Sequence, residues 1–134
     1  MLALAQARAM IDRVLERCAR DGGKPVAVAV VDERGDLVAF ARQDGVTHRS
    51  LRLAQDKAYT AALQESSTRD FAEFLLSTNR TVAAFADPRY VTLAGGVPVP
   101  GGGAVGVSGR SADDDHALAT SAVSTAPLET NRSP

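Results

Sequence analysis

From Leu4 onward the apolar residues Ala7, Met10, Ile11, Val14, Leu15 and Cys18 recur at three- and four-residue steps, while Arg8, Asp12, Arg13, Glu16, Arg17 and Arg20 fill the opposite side. That spacing predicts an amphipathic helix, ended by Gly22-Gly23 and barred from continuing by Pro25. Val26 to Val31 follows without polar interruption, too short for a helix and rich in β-branched residues, which predicts a strand covered on both faces. Asp32-Glu33-Arg34-Gly35 supplies a turn, and Asp36 to Arg42 reads as the returning strand of a hairpin closed off by Asp44-Gly45.

Between Ser50 and Gln64 the small residues Ala54, Ala58, Ala61 and Ala62 share a face, so this helix can approach a sheet closely. Ser67 with Asp70 resembles a capping box opening a shorter helix through Phe71, Phe74 and Leu75. Asn79 to Arg89 has no sustained period and predicts a loop or broken helix leading to a strand near Tyr90–Leu93. Pro98 and Pro100 keep the stretch from Gly95 to Gly103 at a sheet edge or in a loop. Ala104 to Val107 is again extended. Ser111 is placed to cap a last helix whose first turn carries Asp113, Asp114 and Asp115, with Pro127 as its stop and a polar tail beyond it. The order is helix, two strands, two helices, two or three strands, helix; this lacks strand–helix alternation and predicts an α+β antiparallel sandwich.

Composition narrows what such a domain can do. At 134 residues and 45% apolar content there is one modest core, built from Ala, Val and Leu because aromatics make up only 4%. With 15 basic and 16 acidic residues interspersed, nothing in the charge marks a nucleic-acid binder. Cys18 is the single cysteine and only two histidines are present, so no intrachain disulfide or Cys/His zinc set can be built. No apolar stretch reaches the roughly 20 residues that span a bilayer, and the first residues lack the layout of a secretory signal. A cytoplasmic protein is the expectation.

Several clusters invite chemistry. Gly101 to Gly106 satisfies G-x-G-x-x-G, but a strand follows where a dinucleotide site needs a helix. Asp113, Asp114 and Asp115 are adjacent on a helix, so their side chains diverge by about 100° per residue and cannot all meet one ion. No metal site is expected. His48 and His116 could each offer haem iron an imidazole nitrogen, or be solvated surface residues. Lys57 sits at the edge of the Ala54/Ala58 face, where it can tuck against the sheet beside a carboxylate, bind an anion or act as a base; a snorkelling surface lysine is the alternative. Gly95-Gly96 and Ser108-Gly109, at the ends of successive extended segments, let backbone approach a ligand or another backbone.

Val30-Val31-Asp32-Glu33-Arg34-Gly35-Asp36-Leu37-Val38, Arg42-Gln43-Asp44-Gly45, Lys57-Ala58-Tyr59-Thr60-Ala61, Gly95-Gly96-Val97-Pro98 and Gly106-Val107-Ser108-Gly109 with Asp115 stand in one order along the chain. Together they resemble the GlcG/HbpS family, also called DUF336 or the haem-degrading domain, which is similar to the C-terminal part of PduO-type proteins. The family commonly has methionine where this chain has Gln43 and glutamine where it has Asp114. Neither His48 nor His116 matches a motif histidine.

The resemblance implies a single domain over residues 1–126 with a profilin-like antiparallel β-sheet flanked by helices, a flexible tail at 127–134, and assembly into a homo-oligomer. It implies a small-molecule-binding protein, with haem or a related tetrapyrrole as the best-precedented ligand. Lys57, Gly95, Gly96, Ser108 and Gly109 are then the candidate ligand-binding residues. An enzyme acting on a small carboxylate or carbonyl compound is the alternative, with isomerase-, lyase- or hydrolase-like acid–base chemistry. There Lys57 would be anion holder or base, Asp44 or Asp115 its proton partner, and glycine-turn amides would face an oxyanion. A ligand-free assembly module is the third reading.

Overall fold

The computed structural model describes residues 1–124. The expected stop at Pro127 and the tail at 127–134 lie outside the described residues. The first helix, α1, runs Leu4–Asp21 and ends where Gly22 takes the left-handed conformation (φ 64°) and returns its N–H to the Cys18 carbonyl. A hairpin of β1 (Ala27–Val31) and β2 (Leu37–Arg42) follows. The second helix, α2 (His48–Gln64), starts two residues earlier than the alanine pattern suggests, because the Thr47 side chain caps it by accepting from the Ser50 amide. Helix α3 (Thr68–Ser77) is capped by Ser67, which accepts from the Asp70 amide.

The strand expected at Tyr90–Leu93 does not form. Its backbone bonds go elsewhere: the Val91 amide donates to the Thr60 hydroxyl on α2 at 3.1 Å, and the Tyr90 ring packs against Phe71, Phe85 and Tyr59. Residues 79–95 thus form a flap on α2 and α3 with one turn of 3-10 helix at Val82–Phe85. The strand comes later, as β3 (Gly96–Pro98), then β4 (Ala104–Ser108) and α4 (Ala112–Val123), whose Ser111 cap accepts from the Asp114 amide.

The four strands make one antiparallel sheet in the order β2-β1-β4-β3. Its two faces differ in size of side chain. Val26, Val28, Val30, Val105 and Val107 point to α1 and α4, meeting Met10, Ile11, Val14 and Leu118. Ala27, Ala29 and Ala104 point to α2, meeting Ala54, Ala58 and Ala61. The Val–Ala alternation of β1 therefore encodes a thick layer on one side and a thin one on the other. Gly106 carries the thin side furthest: a methyl there would overlap the Ala54 carbonyl oxygen and lie 2.6 Å from the Ala58 nitrogen. Helix α2 rests on bare backbone, and a residue on its inner face is inevitably close to the turns at the sheet's end.

Candidate functional site

Lys57 is that residue. Its side chain is 4% exposed and its ammonium lies 2.9 Å from the Val107 carbonyl and 3.1 Å from Asp115 Oδ2, so two of its three N–H bonds are used. Asp115, in the first turn of α4, is equally buried, and its Oδ1 accepts from the Arg110 amide at 3.0 Å. Gly95 (φ 132°) passes over the lysine so closely that a Cβ would stand 2.9 Å from Nζ. A methyl on Gly96 would overlap the Lys57 carbonyl oxygen, and the Gly96 amide donates to the buried Thr68 hydroxyl at 3.0 Å. Ser108 is buried beside them, and Gly109 (φ 144°) turns the chain against the Pro25 carbonyl. Lys57, Asp115, Gly95, Gly96, Ser108 and Gly109 are brought together.

Burial dominates the electrostatics of this pair. Removal from water pulls Lys57 below its ordinary value and pushes Asp115 above its own, while their mutual attraction opposes both shifts. The carboxylate is further held by the backbone amides of Arg110 and Gly109. The ion pair locks α2, the end of β4 and the start of α4 to one another. The main surface cavities of the described residues are lined by other side chains.

Asp44 stands apart from this pair. It is exposed in the turn after β2 and lines an open depression of about 610 Å³ with Leu15, Gly23, Pro25, Arg42 and Gln43. Proton exchange between Asp44 and the buried Lys57 has no direct contact to run through, which removes Asp44 from a set with Lys57 and Asp115. Gln43 has a structural task, its Oε1 accepting from the Val26 amide at 2.9 Å. Of the three consecutive aspartates, Asp113 and Asp114 are exposed and Asp115 turns inward to Lys57, the divergence that helical geometry imposes.

The histidines also separate. His48 is the exposed first residue of α2. His116 on α4 is half-buried and lines a depression of about 480 Å³ with Arg17, Ala117, Thr120, Ser121 and Ser124. Its Nδ1 is buried and has no hydrogen-bond partner among the described residues. Burial first, and then the Arg69 guanidinium, holds the ring's pKa below the ordinary value.

Sequence reasoning missed Thr68, Arg17 and the network on the outer side of α2. There Tyr59 donates to Asp87 at 2.6 Å, and Arg89 lies 3.9 Å over the Tyr59 ring while pairing with Asp56 at 3.3 Å. Each of these pairings joins residues 28 or more positions apart, beyond the reach of any local period.

Residues 2–124 match the profile of the family described as "Haem degrading protein HbpS-like". Protein GlcG of Escherichia coli (strain K12) is 39% identical over 87 residues, 62% of this chain; the matched stretch spans 63% of that protein's length. The crystal structure of a double mutant of Streptomyces reticuli HbpS superposes with a TM-score of 0.82 at 31% identity, covering 93% of this chain and 86% of that one. The crystal structure of a PduOC haem complex gives a TM-score of 0.80 over 91% of this chain and 92% of that one. At 24% identity it speaks for the shared fold alone.

Proposed function

Because the chain belongs to the HbpS-like family, we propose that it binds haem or a closely related tetrapyrrole, as a homo-oligomer in the cytoplasm. The observation that carries this reading is the His116 ring, which lines a surface depression and whose buried Nδ1 has no hydrogen-bond partner among the described residues. A half-turn about its Cβ–Cγ bond exchanges the nitrogen and carbon edges, so either nitrogen can be offered outward. Arg17 at the same depression supplies a cation for a propionate, and Ala117, Thr120 and Ser121 give α4 a low face on which a flat ring system can lie. These residues fit the group. When bound, haem would supply a redox-active iron. His116 would offer an imidazole nitrogen to hold it, Arg17 would orient the macrocycle, and the Arg69 guanidinium would favour the uncharged form of the imidazole.

In this reading Lys57, Asp115, Gly95, Gly96, Ser108 and Gly109 shape the domain around the ligand rather than touch it, since the ammonium is committed to Val107 and Asp115. The test is a hemin titration followed in the Soret region. Saturable binding at one haem per chain with a red-shifted band is expected, lost or converted to a high-spin spectrum in His116→Ala and weakened in Arg17→Ala. A Soret band identical to free hemin in the wild-type protein, or an unchanged spectrum in His116→Ala, overturns it.

A further inference from the structure

The flap is fastened to the domain unlike any other segment. None of the residues from Asn79 to Ala94 is buried. Among the described residues no backbone-to-backbone hydrogen bond ties positions 81–94 to another element; the Ala84, Ala86 and Tyr90 amides donate within the flap, to the Thr81, Ala83 and Asp87 carbonyls. Such bonds to the body stand only at its two ends, where the Arg80 amide donates to the Leu75 carbonyl and the Gly95 carbonyl accepts from the Val107 amide. Each end also holds a residue in the left-handed region, Asn79 at φ 56° and Gly95 at φ 132°.

Between those ends every fastening involves a side chain. Tyr59 donates to Asp87 at 2.6 Å, Gln64 to the Tyr90 hydroxyl at 2.8 Å, and the Val91 amide to the Thr60 hydroxyl at 3.1 Å. Arg89 lies over the Tyr59 ring and pairs with Asp56, while Phe85 and Tyr90 meet the Phe71 ring edge-on with centroids 5.3 and 5.7 Å away. The side chains underneath, Asp56, Thr60 and Phe71, are buried.

From this we infer that residues 79–94 are a lid that lifts as one unit from a cleft between α2 and α3, hinged at Asn79 and Gly95. A segment with no buried residue and no ladder to its neighbours sits at the low end of local stability. The fastenings are shared: Arg89 touches Tyr59 and Asp56 together, Tyr59 also holds Asp87, and Tyr90 stacks on Phe85 at 5.2 Å, so none is released without loosening the next. Lifting the lid turns to water the Asp56 carboxylate, still paired with Arg52 at 3.5 Å, the Thr60 hydroxyl and the Phe71 face. Lys57 stays covered, because Gly95 and Gly96 are held by Val107 and Thr68 beyond the hinge. The lid is therefore separate from the Lys57–Asp115 pair.

Native-state hydrogen exchange of the full chain in low urea tests this, on the wild type and on Arg89→Ala, Tyr59→Phe and Gln64→Ala, and depends on neither haem nor assembly. The Ala84, Tyr90 and Val91 amides are expected to exchange through a common opening, about a hundredfold or more faster than the β1 amides and with a much weaker dependence on urea. Arg89→Ala should speed all three by about tenfold or more, and Tyr59→Phe and Gln64→Ala should each speed all three by one common factor, with β1 and Gly96 unchanged. Exchange of the three only through global unfolding, with the urea slope of β1, overturns the inference. So does a set of variants in which each frees only the amide beside the deleted contact.

Discussion

Lys57 and Asp115, 58 positions apart in sequence, meet at 3.1 Å with both side chains almost wholly removed from water. Removing one partner strands the other charge in a dry site, which costs about 3–5 kcal/mol. Lys57→Met and Asp115→Ala should each lose about that much in urea denaturation. The double variant should lose far less than the sum, because the stranded charge is gone; what remains is the loss of the carboxylate's bonds to the Arg110 and Gly109 amides and of the ammonium's bond to the Val107 carbonyl, about 1–3 kcal/mol for each group left unpaired. Losses that add to within about 0.5 kcal/mol would show that the two groups do not act as a pair.

The alanine face of α2 makes a second prediction about size. A methyl on Gly106 has backbone on its far side, the Ala54 carbonyl and the Ala58 amide, and neither can step aside without moving the helix. A methyl on Gly22 meets nothing within 4 Å and suffers only from the left-handed φ of 64°. Gly106→Ala should therefore cost about 3 kcal/mol or more, against about 1 kcal/mol for Gly22→Ala. Equal thermal shifts in the two variants would mean that α2 can retreat from the sheet.

The hairpin, four helices and two N-caps were legible because each depends on neighbours a few residues away: the 3.6-residue period of Ala7 to Cys18, the Val–Ala run of β1, the caps Ser67 and Ser111. The extended look of Tyr90–Leu93 misled because tertiary contacts, the Val91–Thr60 bond and the packing of the Tyr90 ring on Phe71, Phe85 and Tyr59, take up that segment. Convergence of Lys57 with the glycine turns was legible too, since only a close sheet explains Ala54, Ala58 and paired glycines together. What spacing could not convey was how far the closeness goes: backbone fills the space around the ammonium, and an imidazole with an unpartnered Nδ1 stands on a different helix, where no period distinguishes His116 from His48.

Acid should act through Asp21. Its carboxylate takes a two-pronged bond from Arg110, at 2.7 and 2.9 Å, which lowers its pKa from 3.8 to about 2. A carboxyl depressed in the folded state contributes stability above its ordinary pKa and loses it as pH falls through the folded one. The gap in urea midpoint between wild type and Asp21→Asn should be constant above about pH 4 and close as pH falls toward 2. A gap that stays the same down to pH 2 would show that the bidentate bond does not persist in solution.

Thr68 offers the sharpest separation of a hydrogen bond from packing. Its hydroxyl, fully buried, is the acceptor for the Gly96 amide at 3.0 Å and so ties the start of α3 to the β3 turn that covers Lys57. Valine has nearly the same shape but no acceptor, so Thr68→Val leaves a buried N–H without a partner and should cost about 1–3 kcal/mol. Serine keeps the oxygen and gives up a methyl, about 1 kcal/mol of packing. Amide exchange reports the difference directly. The Gly96 N–H should lose protection by more than tenfold relative to the Val107 N–H in Thr68→Val, while Thr68→Ser speeds the exchange of both alike. Parallel behaviour of the two amides in both variants would mean that the turn is held by Gly95 and Val107 alone.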